Sequence, residues 1–498
     1  MPVFDADVAR QLAPLFVLAG AGSVFLLWGA FTRRVGGLLR TLVVLAHVGL
    51  LVLLFARWNA GGWPILNGML VVDKFALFFT ALCTICSLAT VLVTPGYARR
   101  FDIERAEYYA MLFFALAGMF VLVSAYDLMS VFLGIELMSL SVYVLVGFRR
   151  RDLLSNEAAM KYFLLGAFAV AFFLYGMAII YGLTGTLNFK GIMVEAVRGE
   201  LVRTAPFLFA VGLIMVGFVF KVAAVPFHMW VPDVYQGAPS PVTGFMASAV
   251  KAASFAAFLR LFYMSFMSGR SHWLDIVVVL AILTMTTGNI IALVQRNIKR
   301  MLAYSSIAHA GYILVGMAAL GIDNTRAASS VMFYLVTYAF MTLGAFALIS
   351  ALENRGDTRG LEIEDYAGLA LRRPFLGFAM ATFMFAMAGI PPTAGFFAKY
   401  YVFNAAIERG LVTLAVIGVL NSALSLYYYL RVIVYMYMRS PRAGAGVPTA
   451  FDDFGVRVVL AVSVAATIWL GIAPGGFIPG IEHLLTWTSE SLARLAGL

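Results

Sequence analysis

Hydrophobic positions fall along this chain in long, nearly unbroken runs joined by short polar stretches. Most runs last about 20 residues, the length of a helix that crosses a bilayer. The pattern predicts fourteen spans, near 13–31, 38–56, 70–93, 107–125, 127–147, 157–183, 205–227, 240–268, 273–294, 301–320, 328–352, 374–405, 411–438 and 456–478. The longest polar joint, 353–373, separates spans 11 and 12. The fold predicted is all-α: a polytopic membrane protein, one transmembrane domain over residues 1–498.

Two spans are interrupted. Span 7 contains Pro226, and span 12 carries Gly389, Pro391 and Pro392 at its middle. Proline removes a backbone donor and clashes with the preceding turn. In lipid the freed carbonyls need partners, so such breaks face protein or a water-filled cavity. A simple kink fits either break taken alone. Their spacing adds information, because they lie five helices apart and five is odd. A five-helix unit repeated in tandem is therefore inverted in the membrane, a transporter pattern with its site near the midplane. The units expected are 107–268 (spans 4–8) and 273–438 (spans 9–13).

Composition narrows the class. A length of 498 residues would suggest about three soluble domains. Hydrophobic residues are 62% and charged residues 12%, against roughly 25% charged in a soluble domain. Cys83 and Cys86 lie inside an apolar run, with no redox βαβ context, and read as small buried hydrophobes. Two thiols are also too few for an iron–sulfur cluster. The formal charge is +10, but no basic patch interleaved with aromatics points to nucleic acid. With residues at span edges counted in the adjoining loop, joints after odd-numbered spans hold 19 Lys and Arg, against 9 on the other side. That bias puts the odd joints in the cytoplasm and both termini outside. The acidic start, Asp5 and Asp7, argues against a cleaved signal peptide.

Charges inside the spans are the sharpest signal. Of seven lysines, five lie within spans: Lys74, Lys161, Lys221, Lys251 and Lys399. Only Arg260 and Arg431 do so among the arginines, both toward span ends, where snorkelling accounts for them. Lysine can release its proton when buried, whereas arginine stays charged. Lys74 follows Asp73 at the outer end of span 3 and reads as an interface anchor. Lys161 lies one turn inside span 6. Lys221, Lys251 and Lys399 are deep, at about 2.5–3.5 kcal/mol each on insertion scales, which makes function the default reading. Glu136 is the single mid-span acid, and Lys221 is taken as its partner. His228 follows the span 7 break, and His309 lies near Ser305, Ser306 and Tyr312. Each is compatible with a proton relay or with an ordinary hydrogen-bonded core histidine. His47, His272 and His483 lack such context. No zinc-ligand spacing, phosphate loop or nucleophile–base pair is visible.

Three segments resemble a known family. KVAAVPFHMWVPDVYQGAPSPVTGFMASAVKAASF (221–255), SSIAHAGY (305–312) and AGIPPTAGFFAKYYVF (388–403) resemble the antiporter-like proton-pumping subunits of respiratory complex I. The resemblance covers essentially the whole chain. Lys399 in span 12, Lys251 in its AVKAASF context and a short tail after span 14 favour the N-type branch. Three spans before the repeats favour a bacterial source. The resemblance implies a translocase subunit of NADH:quinone oxidoreductase in the bacterial inner membrane, termini periplasmic, packed in the lipid bilayer among sister antiporter-like subunits. It implies no cofactor in this chain; NADH, flavin, iron–sulfur clusters and quinone belong to partner subunits. It implies a relay of Glu136, Lys221, Lys251, His309 and Lys399, with Lys161 held more loosely. The resulting mechanism is electrostatic: withdrawing Glu136 from a desolvated Lys221 promotes proton release. The alternative is a subunit of a cation/proton antiporter complex driven by an ion gradient. A scaffold with no proton path would gain nothing from its mid-span charges.

Overall fold

The computed structural model describes residues 5–32, 35–59, 62–321, 325–354, 360–440 and 453–475. Among them, thirteen helices are long and apolar enough to cross a membrane. Span 12 completes the expected fourteen as two half-helices, Pro374–Ala388 and Ala394–Glu408. The one sheet among the described residues is a two-stranded hairpin pairing Pro64–Ile65 with Leu70–Val71. His483 lies outside the described residues.

Short polar residues start the helices. Asp73, Asp127, Asp152, Asn297 and Asp453 each precede a span, and each side chain accepts from a backbone N–H of the first turn. These groups satisfy orphan donors that lipid would leave bare. Spans then pack through small residues, as expected where no hydrophobic force separates helix from lipid. A Cβ on Gly118 of span 4 (Ala106–Ser124) would lie 2.3 Å from the Met138 nitrogen of span 5 (Leu128–Val146). A Cβ on Gly288 of span 9 (Arg270–Leu293) would lie 2.6 Å from the Ala308 nitrogen of span 10 (Ile298–Ala318).

These features recur at matched positions. Gly118, Asp127 and Met138 stand 170 residues before Gly288, Asn297 and Ala308. Asp127 forms an isolated antiparallel bridge to Asn188, and Asn297 forms one to Glu362. The two breaks match as well. The first half of span 7, Ala205–Val222, ends with Ala223 at φ +67°; the first half of span 12 ends with Gly389 at φ +85°. A cis proline, Pro226 or Pro392, comes three residues later in both.

The break in span 7 therefore falls at Ala223, upstream of the proline that marks it in the sequence. The chain re-forms a helix only at Trp230–Gly237. Span 8 differs from expectation too. Its helix, Ser240–Ser265, contains a π-helical segment at Met246–Val250, directly before Lys251. Such segments are rare and collect at functional sites.

Candidate functional site: a buried lysine relay

Lys221 occupies the last turn before the span 7 break and is 3% exposed. Its Nζ donates to Ser139 Oγ of span 5 at 2.7 Å and lies within 5.7 Å of the ring centres of Phe220, Tyr143 and Tyr162. The expected ion pair with Glu136 does not form: no carboxylate oxygen of Glu136 lies within 4.0 Å of a lysine or arginine nitrogen among the described residues. Glu136 sits one turn before Ser139 and is half-buried, on a flank with the exposed Leu133, Leu137 and Leu140. Three-residue spacing puts both side chains toward one side of the helix, and the serine lies nearer the lysine.

Lys251 comes directly after the π-helical segment. Its Nζ donates to the Ser306 carbonyl at 2.6 Å and to Ser306 Oγ at 2.5 Å, crossing from span 8 to span 10. A π turn adds a residue to the local ring of hydrogen bonds and so rotates the next side chains about the helix axis, the lysine first among them. The residue before Ser306, Ser305, is hydrogen-bonded to Tyr429 OH of span 13 (Val412–Met438). Tyr429 OH lies 3.1 Å from His309 Nε2, and His309 Nδ1 lies 2.6 Å from Tyr334 OH of span 11. His309 is thus a buried imidazole held at both nitrogens by phenols. Its donor and acceptor sides depend on the tautomer.

Lys399 lies in the second half of span 12. Its Nζ caps the broken first half by donating to the Ala388 carbonyl at 2.9 Å, and it donates to Ser422 Oγ at 2.8 Å. Gly389 allows this approach, since a Cβ there would meet the lysine stem at 3.0 Å in a backbone region that disfavours side chains. Lys399 also lies 4.9 Å from the Tyr312 ring centre, and that ring lies 5.7 Å from the His309 ring. Asn289 links the remaining phenols, donating to Tyr312 OH and accepting from Tyr428 OH. Lys251, His309 and Lys399 therefore belong to one buried polar region, and Lys221 is linked to it by rings: Tyr162 stacks on Trp230, and Trp230 meets Tyr235, whose OH lies 3.5 Å from Ser306 Oγ.

Other expected residues lie apart. Lys161 is on the edge of the fold, 42% exposed, paired with Glu157 at 2.6 Å and Asp233 at 2.7 Å. Asp233 also receives Arg300 at 2.7 Å. Burial raises the Asp233 carboxyl, but hydrogen bonds and charge from Lys161 and Arg300 hold it below the ordinary value. His228 lies in the non-helical part of the span 7 break, half-buried, and joins none of these hydrogen bonds. Snorkelling is wrong for Arg260. Its guanidinium is 1% exposed, pairs with Asp73 at 2.5 Å and stacks 4.7 Å from the Phe75 ring. A charge that finds a fixed carboxylate within the bundle has no need to reach the headgroups. Arg431 donates to the carbonyls of Leu293 and Gln295 at the end of span 9. Cys83 and Cys86 are free and buried. His47 is a hydrogen-bonded core histidine, between Ser87 Oγ and the Val43 carbonyl.

Two buried charges escaped the sequence reading. Lys299 is fully buried in the first turn of span 10 and donates to the Ala238 carbonyl at 2.6 Å. Glu353, 2% exposed, stands next after the last residue of span 11 (Thr325–Leu352). The only available hint was that both stand within two residues of a span end with opposite signs. Burial raises the Glu353 carboxyl; Lys299 and Arg149, with hydrogen bonds from Ser240 and Tyr97, bring it below its ordinary value.

Residues 125–425 match the family described as NADH:quinone oxidoreductase/Mrp antiporter, transmembrane. The chain is 45% identical over 484 residues to NADH-quinone oxidoreductase subunit N of Trichlorobacter lovleyi, covering 96% of this chain and 95% of that one. A chain of respiratory complex I from Thermus thermophilus with bound Aureothin superposes with TM-score 0.79 at 34% identity, covering 94% of this chain and 99% of that one. A chain of the Mrp complex from Dietzia sp. DQ12-45-1b shares the fold, with TM-score 0.83 at 21% identity, over 99% of this chain and 98% of that one. The match spans more than half of the sequence, and a relative aligned nearly end to end carries the same assignment, so the chain belongs to the NADH:quinone oxidoreductase/Mrp antiporter transmembrane family.

Proposed function

We propose that this chain is the N-type proton-translocating subunit of a bacterial NADH:quinone oxidoreductase, and that protons move along its buried lysines while quinone is reduced in partner subunits. The observation that carries the reading is the polar line across the bundle. Lys251 bonds Ser306, the adjacent Ser305 bonds Tyr429, Tyr429 bonds His309, and the Tyr312 ring packs between His309 and Lys399, which stands beside the second break. Lysine, imidazole, phenol and hydroxyl can each carry or hand on a proton. A core built only for stability has no use for four buried lysines.

The matched features 166 to 170 residues apart support two inverted units, 107–268 and 273–438. In that scheme Ser139, bonded to Lys221, stands where His309 stands in the second unit. Glu136, on the flank of the chain, is placed to couple Lys221 to a neighbouring subunit. Lys161 and His228 belong to the inlet side of the same unit. The relatives place the chain beside other membrane subunits of complex I. The excess of basic residues supports odd-numbered joints in the cytoplasm and periplasmic termini. Electron carriers, flavin and iron–sulfur clusters are assigned to partners.

The test is Lys221→Ala in the assembled complex, reconstituted in sealed vesicles. NADH-driven quinone reduction and lumen acidification are recorded together after assembly is verified. Both should fall by about a hundredfold, the scale of one positioned proton carrier. Wild-type rates for both would overturn the role of Lys221.

A further inference from the structure

The face formed by the odd-numbered joints contains a cavity of about 1010 Å³. Four arginines and five carboxylates line it, a near balance that suits water and does not suit an anionic ligand. Arg149 and Glu353, with side chains 10% and 2% exposed, stand in its wall. Glu353 Oε1 accepts from Arg149 Nη1 at 2.9 Å. Its other oxygen accepts from Ser240 Oγ, at the first residue of the helix that carries Lys251. That same oxygen lies 3.9 Å from Lys299 Nζ. Lys299 does not touch the cavity. It lies behind Glu353, on the helix of Ser306 and His309.

Resting on the proton-translocation reading, we propose that Lys299 is the inlet residue of the relay, and that Glu353 gates it by sharing its carboxylate between Arg149 and Lys299. Arg149 stays charged and holds the carboxylate at the cavity wall. Lys299 can exchange its proton. At the cavity wall the Glu353 carboxylate takes a proton from a hydronium ion, leaving water; on moving toward Lys299 it gives that proton to the neutral amine, which becomes an ammonium while the carboxylate is restored. When the carboxylate returns to Arg149, the ammonium N–H breaks and a water molecule on the Ser306 side takes the proton as hydronium, leaving the neutral amine for the next cycle. No electron moves. Lys299 and Ser306 are seven residues apart on one helix, so they share a face about 10 Å apart. Ser306 is already bonded to Lys251, and Tyr235 OH lies 3.5 Å from the same hydroxyl. The cavity thus reaches the relay through two charges that sit at helix ends.

A purely structural Lys299 would make a different prediction, and arginine separates the two. Lys299→Arg keeps the cation and the ion pair but cannot release a proton at accessible pH. The experiment compares Lys299→Arg, Lys251→Ala and wild type in the reconstituted complex, with assembly verified for each. The proposal expects Lys299→Arg to lose quinone-coupled lumen acidification about a hundredfold, as Lys251→Ala does. Acidification near the wild-type rate in Lys299→Arg, with Lys251→Ala inactive, overturns the inlet role and leaves the relay standing. Near-wild-type acidification in Lys251→Ala overturns the relay reading itself. If the larger guanidinium prevents assembly, Lys299→Met/Glu353→Gln decides, since it removes the Lys299–Glu353 charge pair at similar volume while Arg149 keeps Asp152 as its partner at 2.9 Å. That variant pumping normally overturns the proposal; an assembled, inactive complex supports it.

Discussion

Replacing Asp73 by Asn tests how the helix of Lys251 is held. Arg260 lies nine residues beyond Lys251 on span 8 and is 0% exposed. Its carboxylate partner, Asp73, caps span 3 (Lys74–Phe101). Asparagine caps a helix about as well as aspartate, so the substitution removes the charge and keeps the cap. Removing one partner of a buried pair costs about 3–5 kcal/mol, because the remaining charge is uncompensated. The Phe75 ring, 4.7 Å from the guanidinium, offsets about 1 kcal/mol of that. The net loss is about 2–4 kcal/mol, and the midpoint of thermal dissociation of the purified complex should fall by at least about 5 °C. Asp73→Asn/Arg260→Met should recover most of this loss, since no buried charge remains. Thermal dissociation monitored by native electrophoresis measures both. A midpoint for Asp73→Asn within about 1 °C of wild type would refute the reasoning. It would mean that Arg260 reaches the headgroup water, as its place near a span end first implied.

Three other outcomes are expected. Ser139→Ala removes the hydroxyl that receives Lys221, a hydrogen bond from a charged donor worth about 1.5–3 kcal/mol, and should slow NADH-driven acidification roughly tenfold or more. Gly395→Ala would set a Cβ 1.8 Å from the Ala386 carbonyl oxygen, so the two halves of span 12 cannot keep their places and assembled complex should be largely lost on native gels. Glu353 is held below its ordinary value when folded, so it stabilises the fold above about pH 4.3, and that contribution disappears as pH falls through the lower folded value. Glu353→Gln should therefore show a flatter loss of thermal stability than wild type over that acid window.

The chain's hydrophobic runs determined the class of fold and the number of spans, because a helix in lipid has to bury its backbone and needs about 20 apolar residues to do so. The deep lysines were also legible, since a charge amid an apolar run is visible without any tertiary knowledge. Gly389 and the prolines marked both broken spans, although the structure shifts the first break upstream to Ala223, whose left-handed conformation no residue type announces. One-dimensional order does not contain the distance between helices. Only packing decided that Lys221 bonds Ser139 and not Glu136, and that Arg260 pairs with Asp73, 187 residues away. The π turn before Lys251 is likewise set by the groups its helix must reach, and Met246–Val250 carries no local sign of it. Lys299 and Glu353 were missed for a related reason. At a span edge a charge normally meets water, and only the surrounding joints, folded over them, turn these two into a buried pair.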